Sequence, residues 1–214
     1  METSERMTEI TRLMREHYGG ADERPPEPRD PYRTLIGCVL SHRTRDKNSS
    51  KAARNLFEEI EGPLDILAMN QDALKELIRC SGFFNQKARS IVAISRSLVD
   101  DFGGMVPDDR ETLMGLPGVG PKTADIVLSY AFQKPAIAVD VHVSRVARRL
   151  GLAPVDAGPE RVKEALESLV PPDLYRFVDN AFVKHGKEYC RNSKPQCSGC
   201  FLSEFCEYAG SQSQ

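Results

Sequence analysis

The stretch from Leu116 to Asp140, LPGVGPKTADIVLSYAFQKPAIAVD, holds a lysine and an aspartate that could each do chemistry. Lys122 lies in the first turn of a predicted helix, whose positive end disfavours a second positive charge. A neutral amine is a nucleophile. Asp140 precedes the predicted helix VHVSRVARRLGL, where a carboxylate is stabilised as an N-cap. A solvated surface lysine and a purely structural cap would explain the same residues separately.

Glycines precede Lys122 in a pattern that predicts a tight hairpin between two short helices, residues 108–114 and 123–132. We expect Gly118 and Gly120 to permit positive φ angles and the close approach of another backbone. The amide groups of Val119, Gly120 and Lys122 should be unpaired donors at a helix start. Such a group of amides binds anions, and a phosphate is the natural one. The alternative is that the glycines merely end one helix and begin another.

Four cysteines near the C-terminus form the pattern C-x6-C-x2-C-x5-C, at Cys190, Cys197, Cys200 and Cys206. The N-terminus METSERMTEI lacks the apolar core of a secretion signal, so these cysteines favour a metal site over disulfides. Zinc and iron–sulfur clusters both take four thiolates, and the residues alone leave both open.

The run LPGVGPKTA resembles the helix-hairpin-helix of DNA glycosylases, and the sequence through VDVH resembles the endonuclease III family. The resemblance covers residues 30 to 207. It implies that Lys122 is the catalytic lysine and that Asp140 is the catalytic aspartate. The cysteine spacing resembles the C-terminal loop that holds a [4Fe–4S] cluster in this family.

The resemblance also implies a set of DNA contacts. Arg43 would lie in the turn that fills the gap left by an extruded base, and Phe83 in a loop that wedges between bases. The hairpin residues Gly118, Val119 and Gly120 would bind the backbone, as would Arg191 and Lys194 in the cysteine loop, with His142 as a further phosphate donor. The family often has glutamine at the position of Arg43. Simple phosphate contact by Arg43, and packing of Phe83 and His142 in the core, are the alternatives.

Helical periodicity predominates along the chain, and the one candidate strand, residues 136–139, lies between helices. We therefore predict an all-α fold. The resemblance implies two domains: a six-helix bundle over residues 23–134 that contains the hairpin, and a helical iron–sulfur domain formed by residues 1–22 and 135–214. The extruded base should lie in a cleft between them, with Lys122 and Asp140 on opposite walls.

Length, composition and charge limit the classes of protein to which this chain can belong. The chain has 214 residues, a net charge of −2 and 40% hydrophobic residues, with no apolar run long enough to cross a membrane. A cytoplasmic monomer without membrane contact is the default. Basic residues gather at Arg145, Arg148 and Arg149, which is sufficient for a local phosphate-binding face or for an ordinary solvated surface.

The resemblance implies a bifunctional DNA glycosylase and abasic-site lyase acting on double-stranded DNA, with oxidised pyrimidines as substrates. Two alternatives stay open. A monofunctional mismatch glycosylase of the adenine type needs a carboxylate in the helix that here reads TLIGCVLS, and none is present. A helix-hairpin-helix module that binds DNA without cutting it would not need Lys122 and Asp140 together.

Overall fold

The computed structural model describes residues 2–19 and 27–212, and it divides into two compact units. One unit is Pro28–Lys134, and the other combines Met1–Glu27 with Pro135–Gln214. Residues 20–26, which include the first six residues of the polar, proline-rich connector ADERPPEPRD, lie outside the described residues. In the described part of the chain, no helix is both long and apolar enough to cross a membrane.

The central unit is built from seven α-helices. They are α2 (Pro31–Ser41), α3 (Asp46–Glu59), α4 (Pro63–Ala68), α5 (Gln71–Leu77), α6 (Phe84–Phe102), α7 (Arg110–Gly115) and α8 (Pro121–Tyr130). Helix α2 packs against α3, α6 and α8, so it forms the centre of this unit. Its apolar sequence fits that place, because Leu35, Ile36 and Leu40 are fully buried.

The second unit consists of α1 (Thr3–Tyr18), α9 (Val141–Arg149), α10 (Pro159–Leu169), α11 (Tyr175–Glu188) and the short α12 (Glu207–Gln212). Helices α9 and α11 pack along each other, and α1 contacts α10 and α11. One cluster of buried side chains unites these elements, including Met7, Ile10, Val143, Val146 and Phe182. The N-terminal helix therefore completes the core of the C-terminal segment.

The described residues form no strand, which confirms the all-α prediction. The candidate strand at residues 136–139 has no regular secondary structure, and its four apolar side chains are buried. The segment before α11 is a single 3-10 turn, Pro172–Leu174, and α11 starts directly after it at Tyr175. Proline at the start of that turn lacks an amide donor, which suits a helix entry.

Candidate active site and cysteine cluster

The glycine hairpin differs from its prediction in two places. Only Gly118 has a positive φ, at 75°, whereas Gly120 is an ordinary N-cap with φ −102°. The prediction of a free amide at Val119 is wrong, because that N–H donates to Leu116 O at 3.1 Å and closes the turn. A Cβ at Gly120 would meet nothing within 4 Å, so open space lies beside the start of α8. From the sequence we expect another backbone to approach the hairpin closely, and this open space would accommodate it.

An ion pair holds the two hairpin helices together. Arg110, the first residue of α7, donates from Nε to Oδ1 of Asp125 in α8 at 2.9 Å, and from Nη2 to Oδ2 at 3.4 Å. The Asp125 carboxylate is almost fully buried, with 2% exposure of its side chain. Bidentate geometry of this kind sets orientation as well as distance. The hairpin thus has a defined angle before any ligand binds.

Lys122 lies in the first turn of α8, as the sequence predicts, and its side chain is exposed. The charge of Lys122 affects the titration of groups on α2 and on the turn that follows. Burial lowers the pKa of His42, and the positive charges of Lys122 and Lys87 lower it further. Burial raises the pKa of the Cys38 thiol to about 11, against the opposing effect of Lys122. His42 Nε2 and Thr123 Oγ1 are hydrogen-bonded at 3.3 Å, which ties the turn after α2 to the residue beside Lys122.

Asp140 is the N-cap of α9. Its Oδ1 accepts from the amides of His142 at 2.7 Å and of Val143 at 2.9 Å. Both bonds go to one oxygen, and no described residue donates to Oδ2. The capping role is therefore compatible with a second carboxylate oxygen that accepts no bond from the described residues.

His142 packs inside the second unit. Its Nδ1 accepts from Arg145 Nη2 at 2.9 Å, and a Cβ at Gly186 would lie only 2.8 Å from the Cβ of His142. A side chain larger than glycine at position 186 would therefore displace the histidine ring. The imidazole is partly buried, and Nε2 is the nitrogen left to meet a ligand.

Arg43 and Phe83 share an unusual backbone conformation. Their φ angles are 49° and 58°, the left-handed region that non-glycine residues adopt only at a cost. Arg43 is exposed, and 60% of Phe83 is exposed, so Phe83 is not a core anchor. Strain of this sort is maintained where the surrounding structure determines the conformation.

The four cysteines of the C-terminal pattern line one cavity, together with His185, Arg149 and Tyr189. Cys200 Sγ lies 3.5 Å from His185 Nε2, and Arg149 donates from Nη1 to Cys190 Sγ at 3.4 Å. Within the described ranges, no group of three or more His, Cys, Asp or Glu side chains is arranged to hold a metal ion.

The donor set suits a metal that binds thiolates. Burial raises the pKa of Cys200 to about 11, and burial, with smaller effects from Cys190 and Cys197, also raises the pKa of Cys206. Burial thus favours the neutral thiol at Cys200 and Cys206, and a metal overcomes that preference because it binds the deprotonated sulfur. All four thiols are partly buried, and they face a common space.

The arginines of α9 are partly buried, and they donate to carbonyl groups of the protein itself. Arg145 donates to the carbonyls of Cys190 and Gly186, at 2.8 and 2.9 Å. Arg149 donates to Arg191 O at 2.7 Å, and Arg148 donates to Ser144 O at 3.1 Å. These bonds occupy several of the donors of the three arginines, which leaves fewer of them for the phosphate-binding face considered from the sequence. Arg191 and Lys194, in contrast, are exposed on the cysteine loop.

Comparison with known proteins identifies the family. Residues 36–172 match the HhH-GPD superfamily base excision DNA repair protein. Endonuclease III of Thermotoga maritima is 47% identical over 84% of both chains, and that of Haemophilus influenzae is 37% identical over 97% of both. The structure of a trapped endonuclease III–DNA covalent intermediate superposes over 100% of both chains with a TM-score of 0.89 and 34% identity.

These matches span nearly the whole chain, so they include both the glycine hairpin and the cysteine loop. The predicted resemblance is confirmed. This chain belongs to the endonuclease III family of the HhH-GPD base excision repair superfamily.

Proposed function

We propose that this protein excises damaged bases from double-stranded DNA and cuts the strand at the abasic site, with Lys122 as the nucleophile. The observation that carries this assignment is the placement of Lys122. It is an exposed amine in the first turn of α8, directly after an open-faced glycine turn, in a chain of the endonuclease III family. An amine placed beside a phosphate-binding backbone can reach the sugar of a bound nucleotide.

The reaction begins when the damaged base leaves the stack, which costs less for a distorted or unpaired base. Nζ of Lys122 bonds to C1′ of the sugar, the glycosidic bond breaks, and the base departs with the electron pair and a proton. Asp140 stabilises the positive charge that builds on the sugar or takes the proton of Lys122. Its Oδ2 suits either role, since both capping bonds go to Oδ1.

Opening of the sugar ring leaves an imine between Nζ and C1′. The imine acidifies the adjacent C2′–H, a base removes that proton, and the C3′–O bond breaks by β-elimination. The strand is thereby cut on the 3′ side of the lesion. Water then hydrolyses the imine and frees Lys122 for another turnover.

The hairpin and the exposed turns would bind the DNA. Gly118, Val119 and Gly120 would border the phosphate, with the Gly120 and Lys122 amides as donors at the start of α8. Arg43 and Phe83 would enter the duplex from the two strained turns, and Arg191, Lys194 and His142 would contact the backbone.

We also propose that Cys190, Cys197, Cys200 and Cys206 hold a [4Fe–4S] cluster. Bound there, the cluster would act as a scaffold that fixes the loop from residue 190 to residue 206. Arg191 and Lys194 would then be presented from a rigid loop. A brown protein with thiolate-to-iron absorbance supports the cluster, and a colourless protein containing zinc contradicts it.

Oxidised pyrimidines are the proposed substrates. Arg43 stands where the family often has glutamine, so the base opposite the lesion is the feature in which this protein should differ most. A protein that repairs chromosomal DNA would be cytoplasmic and, in a prokaryote, associated with the nucleoid. We expect it to act as a monomer.

Borohydride trapping tests the assignment. Reduction in the presence of abasic-site DNA should give a covalent protein–DNA adduct that is lost in Lys122→Ala. The matched control is Lys51→Ala, which removes an exposed lysine from α3 and should trap as well as the wild type. A wild-type protein that binds the DNA but never traps would favour the non-catalytic binding module. Base release without trapping would favour a monofunctional glycosylase.

A further inference from the structure

A buried lysine connects the two turns that carry Arg43 and Phe83. Lys87, in the first turn of α6, is only 5% exposed. We call residues 42–45, between α2 and α3, the Arg43 turn, and residues 78–83, between α5 and α6, the Phe83 turn. These turns are about 40 residues apart in the sequence, so only the tertiary structure brings them together.

The ammonium group of Lys87 donates three hydrogen bonds. Nζ lies 2.6 Å from Leu40 O at the end of α2, 2.7 Å from Thr44 Oγ1 in the Arg43 turn and 2.8 Å from Ser81 Oγ in the Phe83 turn. A lysine ammonium has three donors, so the site uses all of them. One atom is thereby bonded to both turns at once.

Direct contacts between the turns surround this atom. Gly82 N donates to Thr44 Oγ1 at 3.1 Å, and Ser81 Oγ donates to Leu40 O at 3.0 Å. A Cβ at Gly82 would lie 3.2 Å from Arg43 O and 3.3 Å from Thr44 Oγ1, which is closer than side chains normally approach. These contacts place the two turns side by side, next to the ammonium group of Lys87.

Stability gives little reason for a lysine at this position. Burial lowers the pKa of Lys87 to about 8, which means that the fold disfavours the charge it carries at neutral pH. If Lys87 were an apolar residue, its acceptors would keep other partners: Leu40 O would retain Ser81, and Thr44 Oγ1 would retain Gly82 N. A buried charge retained despite its desolvation penalty has a specificity role in some proteins.

We propose that Lys87 is a positioning residue that locks the Arg43 turn and the Phe83 turn into one rigid unit for base extrusion. The inference rests on the proposed function, since it assigns both turns to the opened duplex. Each turn presents its tip residue at a positive φ, and the shared lysine determines where both backbones lie. A loose pair of turns would still bind DNA, but it would open the base pair less often.

The test compares two substrates in Lys87→Met. Excision from a duplex that contains one oxidised pyrimidine requires extrusion, and it should fall about tenfold or more in kcat/KM, as small misplacements do. Borohydride trapping on single-stranded abasic DNA requires no extrusion, and it should change by less than about threefold. The control is Lys51→Met, an exposed lysine of α3, which should match the wild type in both measurements.

A second readout follows the opened duplex directly. A 2-aminopurine next to the lesion brightens when it loses its stacking partner, and Lys87→Met should reduce that increase at saturating protein. Lys87→Arg separates geometry from charge, because a planar guanidinium cannot direct three donors from one atom. The arginine variant should therefore resemble Lys87→Met, and full rescue by arginine would overturn the proposal.

An equal loss of activity on both substrates would also overturn the proposal, because a lysine that only stabilises the fold predicts that result. No loss on either substrate would overturn it as well, because it would show that Lys87 has no effect on the reaction. Failure of the wild type to trap abasic DNA is a different outcome, which contradicts the proposed function. The fluorescence comparison would then still decide whether Lys87 controls the action of the two turns on the duplex.

Discussion

Arg145 in α9 donates from Nε to the carbonyl oxygen of Cys190 at 2.8 Å. The helix that begins at Asp140 is therefore bonded to the first cysteine of the C-terminal pattern. The same guanidinium donates to Gly186 O at 2.9 Å, at the end of α11. The candidate catalytic aspartate and the cysteine loop are thus held in one bonded unit.

Arg145→Met should weaken that unit. We expect a protein that folds but loses the iron of the proposed cluster faster, because the carbonyl of Cys190 would no longer be fixed. Iron content per chain and visible absorbance after dialysis against a chelator measure this. Arg161→Met, an exposed arginine of α10, is the control. Equal retention of iron in the two variants would contradict the prediction.

Asp140→Asn should separate capping from catalysis. Asparagine is as good an N-cap as aspartate, so the free energy of unfolding should change by less than about 0.5 kcal/mol. Base excision should fall by about two orders of magnitude, because the side chain no longer carries charge. Asp140→Ala should also lose about 1 kcal/mol of stability. Urea unfolding and single-turnover excision give both numbers, and a fully active Asp140→Asn would remove Asp140 from the mechanism.

The two hairpin glycines should respond differently to alanine. Gly118→Ala places a Cβ at φ 75° and should lower the free energy of unfolding by about 1 kcal/mol. Gly120 has an ordinary φ, and a Cβ there would meet open space. The free energy of unfolding of Gly120→Ala should therefore be close to that of the wild type. Its methyl group would occupy the space proposed for a phosphate, and DNA affinity should fall. Fluorescence anisotropy with abasic-site DNA tests this, and unchanged affinity would place the phosphate elsewhere.

Lys87 should impose a pH dependence on stability. Its pKa is about 8 in the folded chain, against about 10.4 for an unfolded lysine. Between those values the unfolded chain binds more protons, so the contribution of Lys87 to the unfolding free energy rises with pH. Below pH 8 the lysine is charged in both states, and the full penalty of its burial is present.

The wild type should therefore gain stability relative to Lys87→Met between pH 7 and pH 10. Paired urea unfolding at the two pH values measures the change, and groups common to both proteins cancel in the difference. Lys51→Met should follow the wild type throughout. A difference that stays constant with pH would show that Lys87 is not desolvated as its position indicates.

Local features of this protein could be predicted from its sequence. Asp140 caps α9 as expected, because an N-cap depends on amides two and three residues away. Pro121 begins α8, and Gly118 takes the positive φ of the turn. Lys122 is in the first turn of its helix for the same local reason. The family membership was also predictable, since it depends on motifs contiguous in the chain.

Long-range partners could not be predicted in this way. The arginines of α9 donate to carbonyl groups of the cysteine loop, about 40 residues away in the sequence. One signal was available: Lys87 lies on the buried face of α6, in register with Ile91, Ile94 and Leu98. What that lysine does there depends on Leu40, Thr44 and Ser81, three acceptors on separate segments. The fold alone brings them within reach of one nitrogen, because a hydrogen bond depends on distance in space and not on separation along the chain.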